Sequence, residues 1–179
     1  MANPEVPIDV DPESGIWRTD GLPMIYLPRH FLVNNHLATE AALGLDAYRR
    51  MLHAATEKSA ITWCRAESTT HGLAAEATVR HYFRRLSQRG WGQFSLHELD
   101  IGRRRGVIAL KNSVFVLEAH GSSSHPLCYM FEGFVTGAFR FLFEVSDASR
   151  GAACSCREIQ CAAMDKHDHC SFKVAQVDL

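Results

Sequence analysis

The run Cys154-Ser-Cys156-Arg-Glu158-Ile-Gln-Cys161-Ala-Ala-Met-Asp-Lys-His-Asp-His-Cys170-Ser-Phe172 decides how this chain is read. Two strands are expected here, Ala152 to Ile159 and Cys170 to Val177, so the chain closes as strand, connection, strand. Thiolate, imidazole and carboxylate crowd the connection, and these are the donor types that zinc takes in a tetrahedral shell. Two donors at the end of one strand and one at the start of the next would stand at neighbouring corners of such a shell. Glu158, Cys161 and Cys170 fit that geometry. A fourth donor must come from elsewhere, with Cys128, Cys156, His167 and His169 as rivals. The bland alternative is that the cysteines are small buried hydrophobes and the His-Asp-His run a solvated turn.

Working outward, Pro126 is well placed to open a helix, and Leu127 to Val145 form the most apolar helical stretch of the chain. Glu132, Thr136, Arg140 and Glu144 are spaced four apart and gather on one polar ridge. Leu127, Phe131, Phe134, Val135, Ala138 and Leu142 are left to face a core. Those charges argue for a buried helix and against a membrane span. Gly133 and Gly137 have the spacing that lets a second helix approach closely, most simply within one molecule. Upstream, Gln93 to Ala119 reads as a two-stranded hairpin broken at Gly102-Arg-Arg-Arg-Gly106, and a loop is expected at Gly121-Ser-Ser-Ser-His125. A helix fits Leu73 to Gln88, with Ala75, Val79, Tyr82, Phe83 and Leu86 as its apolar stripe. Before it come a short helix from Asn35 to Leu43, a break at Gly44 and a long helix from Asp46 through Trp63 and beyond. Residues 1–34, with five prolines up to Pro28, read as an extended arm with one short strand at Met24 to Leu27, packed on a single domain of residues 35–179.

The composition of the 179-residue chain excludes several classes. It is 46% hydrophobic and 22% charged, with a formal net charge of -1. That is a globular chain, and it lacks the overall positive charge of a nucleic-acid binder. The first residues show no basic start followed by an apolar segment, so no secretory signal is read and a cytoplasmic location is expected. Six cysteines in a reducing compartment are thiols or metal ligands before they are disulfides. No glycine-rich nucleotide motif follows a strand. Cys64 with His71 is a coincidence rather than a nucleophile and its base, and Arg80 to Arg89 with Arg103-Arg-Arg105 reads as a solvated face and a charged hairpin tip.

Pro126-Leu-Cys128 leading into a helix with Gly133 and Gly137, then Glu158-x-x-Cys161, eight residues, and Cys170-x-Phe172, resembles the 4-vinyl reductase domain family. The resemblance covers roughly residues 35–179 and is most specific in the C-terminal part. It implies an α+β fold, an antiparallel sheet packed with helices, similar to subunits of a vesicle-tethering complex. It also implies a homodimer. The family includes the sensory domain of bacterial activators that respond to phenol, in which three cysteines and a glutamate hold a structural zinc. Those ligands carry over as Cys128, Glu158, Cys161 and Cys170.

Tyr82, Trp91, Phe131 and Phe134 are the candidates for lining an apolar ligand pocket, although such aromatics are more often ordinary core. His30, His36, His81 and His97 are possible hydrogen-bonding groups for a ligand, each more often a surface or satisfied core histidine. The resulting expectation is a sensor or accessory domain that binds a small apolar or aromatic ligand around a structural zinc. It would signal through a protein partner, without catalysis and with neither nucleic acid nor membrane as partner. The alternatives are an enzyme or enzyme accessory in small-metabolite catabolism using the same pocket, and a structural assembly subunit.

Overall fold

The computed structural model describes residues 6–119, 123–147, 153–164 and 167–177. The first residues of the arm, Gly121 and Ser122 of the expected loop, and Ala152 at the expected strand start lie outside them. Two sheets and five helices are described. β1 (Asp9–Val10), β2 (Trp17–Thr19) and β3 (Leu22–Met24) make a small antiparallel sheet in the arm, in the order β1-β2-β3. The helices α1 (Arg29–Leu43), α2 (Leu45–His71) and α3 (Ala75–Gln88) follow. β4 (Gln93–Asp100), β5 (Arg105–Lys111), α4 (Val114–Glu118), α5 (Met130–Ser146), β6 (Cys154–Gln160) and β7 (Cys170–Gln176) complete the chain. The second sheet is antiparallel throughout, in the order β4-β5-β7-β6. This is an α+β fold in which helices pack on an antiparallel sheet, as expected from the sequence.

α5 is the centre of the molecule. Phe131, Val135, Ala138, Phe139 and Leu142 are fully buried along it, against Ile108, Leu110, Phe172 and Val174 of the sheet. Its opposite side lies on α2 with no room for side chains. A Cβ on Gly133 would overlap Thr56 Oγ1 and the His53 carbonyl, and one on Gly137 would overlap the Glu57 carbonyl. The small-residue spacing therefore serves helix packing inside one molecule, because only hydrogen lets two backbones come this close.

Several expectations from the sequence are corrected. The hairpin's second strand stops at Lys111: Asn112 has a left-handed φ of 52°, Ser113 accepts the Phe115 N–H, and the chain turns into α4. That is N-capping overriding the β-propensity of Val and Phe. α1 starts at Arg29, ahead of the Asn35 start expected from the sequence; Pro28 takes the extended conformation just before it. The arm holds three short strands, and the residues Ile25 to Leu27 continue past β3 without pairing. Asp20 and Gly21, with φ of 53° and 74°, supply the left-handed pair that a two-residue hairpin turn needs between β2 and β3. The buried Asp20 carboxylate then accepts from Arg85 at 2.8 Å and Arg89 at 3.3 Å, clamping the arm to α3. Other basic residues are answered nearby: Arg80 pairs with Glu76, and Arg103 and Arg105 with Asp100. Among the described residues, no helix is long and apolar enough to cross a membrane.

Candidate metal centre

The polar ridge of α5 is solvated only in its second half, where Arg140 and Glu144 are exposed and pair with Glu57 and Arg65 of α2. Glu132 and Thr136 are buried in the seam between α2 and β6. Glu132 takes Arg49 of α2 on both oxygens and the backbone N–H of Glu158 at 2.8 Å. Thr136 Oγ1 lies 3.1 Å from His53 Nε2 and accepts the Cys156 N–H at 3.1 Å. Glu132 and Thr136 thus lock β6 in register on α5, which fixes the direction of the Glu158 side chain. The pairing of β6 with β7 is irregular between Glu158 and Gln160. Such a bulge re-aims side chains, and here it delivers Glu158 and then Cys161, in the following turn, to the same side.

Cys128 reaches this point from the turn before α5, Glu158 from β6, Cys161 from the turn after β6, and Cys170 from the first position of β7. All four are buried, and one donor atom of each lies within 4.8 Å of the others. Cys128 Sγ and Cys170 Sγ are 3.6 Å apart. A tetrahedral zinc with bonds of about 2.3 Å would place two sulfurs about 3.8 Å apart. Backbone amides support the donors: Leu127 N–H points at Cys161 Sγ (3.5 Å), Ala162 N–H at Cys170 Sγ (3.3 Å), and Cys128 N–H at Glu158 Oε2 (2.9 Å). Glu158 Oε1 is buried with no hydrogen-bond partner. Cys156, His167 and His169 stand outside this four-donor group; His169 instead contacts Asp168 and Gln160.

Burial and mutual proximity shift the titration of these donors. Burial, with the Cys161 sulfur beside it, pushes the Glu158 carboxyl up to about 9. Burial likewise raises the Cys128 thiol. Hydrogen bonds from the Cys128 and Cys170 thiols draw the Cys161 proton off, so its pKa falls far below the usual thiol range. Four anions would repel one another in this buried space. A divalent ion removes that penalty and displaces the remaining protons, so the donor set fits a metal ion. Sequence reasoning missed two supports of the site. Ser113 Oγ lies 2.9 Å from Cys128 Sγ, and Glu132 braces Glu158 through its backbone. A glutamate in the first turn of the most apolar helix was a readable signal for the second.

The aromatic candidates also come together. Phe134 stands 6.4 Å from Tyr82, 6.1 Å from Trp91 and 6.2 Å from Phe131, centroid to centroid, between α3, α5 and the loop before β4. Tyr82 and Phe131 are buried, whereas Trp91 and Phe134 are half-buried and form the outer edge. Two surface hollows of about 470 and 440 Å³ lie elsewhere, between α3 and β4, and none of the four lines them.

The family model described as "Domain of unknown function (DUF5943)" matches residues 2–97, more than half of the chain. The chain belongs to the DUF5943 family. That match ends before the four donors, which lie at 128–170. No curated protein matches this DUF5943 member in sequence. Among solved structures, it is similar to the phenol-responsive sensory domain of the transcription activator PoxR with phenol. The TM-score is 0.77 at 17% identity, over 94% of this chain and 84% of that one. It is also similar to a trafficking protein particle complex subunit 3 from Naegleria fowleri covalently bound to palmitic acid. There the TM-score is 0.54 at 11% identity, over 84% of this chain and 95% of that one. At these identities the likeness is one of fold. The resemblance read from the C-terminal motif holds at that level, in both of the fold relatives it named.

Proposed function

We propose that this DUF5943 protein is a small-molecule sensor or accessory domain, taking a small apolar or aromatic ligand and organised around a structural zinc. The observation that carries the reading is the fold shared with a phenol-responsive sensory domain over 94% of the chain. Cys128, Glu158, Cys161 and Cys170 would hold the zinc. Zinc supplies cross-linking there: it ties the turn before α5 to both ends of the β6–β7 connection. Four protein donors close the shell and leave no place for a reacting water, which favours a structural role over catalysis. The ligand would lodge beside Tyr82, Trp91, Phe131 and Phe134, reached by displacing the half-buried Trp91 and Phe134 rings. The domain would act as a homodimer and pass its signal to a protein partner.

The test is thermal unfolding with and without phenol and its alkylated analogues. A ligand bound only by the folded protein raises the melting temperature with concentration. Wild type is expected to shift and Phe134→Ala to shift little. A wild-type melting temperature indifferent to every such compound would contradict the reading. It would favour the second one, an assembly subunit, to which the likeness to the trafficking complex subunit and the close packing of these four rings lend support.

A further inference from the structure

A second group of donors stands where the end of α2 meets α3, remote in the chain from the four at the β6–β7 connection. Glu67 and His71 lie one helical turn apart in the last part of α2, and His81 faces them from α3. Glu67 Oε2 is 3.2 Å from His71 Nε2 and 3.1 Å from His81 Nε2. One donor atom of each residue falls within a 4.8 Å span. A tetrahedral shell with bonds of about 2.0–2.1 Å has edges of about 3.3 Å, close to both separations. Glu67 is 1% and His81 9% exposed, while the His71 side chain is 43% exposed, so the group opens to solvent on one side only. The carbonyl end of a long helix also favours a cation at this position.

We propose that Glu67, His71 and His81 form a divalent transition-metal site with an open coordination position. Two imidazoles and a carboxylate select zinc, cobalt, nickel, copper or ferrous iron over calcium and magnesium. Three protein donors leave room for a water or for an anionic oxygen of a small molecule, in contrast to the closed Cys–Glu shell. The site stands independently of the sensor reading and of whether that shell is filled.

Arg84 sets the condition for binding. Its guanidinium donates to His81 Nδ1 at 2.7 Å, which leaves the imidazole proton on Nε2, toward Glu67. A metal at Nε2 takes the place of that proton, which moves to Nδ1, and the exposed Arg84 side chain must swing away. Metal-bound imidazoles donate their other N–H to an acceptor, so a cation donor at Nδ1 holds affinity down. Trp63 is stacked on His81, with ring centroids 5.5 Å apart and planes at 24°, and reports on the site.

The experiment is a cobalt titration of the full, tag-free chain as purified, followed by calorimetry, visible absorption and tryptophan fluorescence. One equivalent is expected to bind without a thiolate-to-cobalt charge-transfer band and to quench fluorescence. His71→Ala, at an exposed position that leaves folding intact, should weaken that step at least about tenfold, and Arg84→Gln, which offers an acceptor to Nδ1, should tighten it about tenfold. Binding seen only with the thiolate band, or unchanged in His71→Ala, would overturn the proposal.

Discussion

The carboxylate of Glu132 accepts the backbone N–H of Glu158 at 2.8 Å, so a glutamate on the central helix sets the position of a glutamate in the donor group. Arg49 of α2 donates to both oxygens of the same carboxylate. Removing Glu132 therefore leaves a half-buried guanidinium and a buried N–H without partners. We expect Glu132→Ala to lower stability by about 3 kcal/mol, and Glu132→Gln, which keeps an acceptor for the N–H, to cost less. Urea unfolding of the three proteins checks this; an unchanged midpoint for Glu132→Ala would show that the brace carries no stability.

The contact between α2 and α5 leaves no space at Gly137, where an added methyl would meet the Glu57 carbonyl and Ala60 Cβ. On an open helix surface, Gly→Ala is stabilising by about 1 kcal/mol. Here Gly137→Ala should instead destabilise by about 2 kcal/mol or more, because the two helices must move apart. Thermal unfolding gives the sign directly.

His36 is 3% exposed, its Nε2 has no hydrogen-bond partner, and the rings of Phe115, Tyr129 and Tyr48 lie 4.4, 5.0 and 5.2 Å away. Burial lowers its pKa from 6.5 to about 4. As pH falls through that window the unfolded chain takes up the proton first, so the contribution of His36 to stability is present above 6.5 and declines toward pH 4. The loss approaches about 3 kcal/mol over the window. His36→Phe should flatten the stability profile between these pH values, and an unaltered slope would assign the acid sensitivity to other groups.

The fold was largely legible in the sequence because its strongest elements carry clean patterns. Val79, Tyr82, Phe83 and Leu86 repeat at helical spacing, and the extended period returns at Gln93 just after two glycines. The donors were legible for another reason: a strand end, a turn and a strand start place Glu158, Cys161 and Cys170 together, whatever the rest of the chain does. The fourth corner was not. Cys128 competes evenly with Cys156 in spacing, and only the packing of α5 on β6 separates them; Cys128 itself was reached through the family resemblance. The reading failed where local chemistry contradicted propensity. Val114 to Val116 look extended, yet the Ser113 cap turns them into a helix. Glu132 and Thr136 look solvated in one dimension, and become a buried seam only once α2 and β6 close over them. The grouping of Glu67, His71 and His81 needs two helices to meet, which no window along the chain displays.

The most direct test of the account is metal analysis of tag-free protein purified without added metal, beside Cys161→Ser. The account predicts about one zinc per chain bound by thiolate, lost in the variant together with much of its thermal stability, because metal-binding free energy is then part of folding free energy. A metal-free wild type that melts at the same temperature as Cys161→Ser would contradict it, and would make Cys128, Glu158, Cys161 and Cys170 a packing cluster and nothing more.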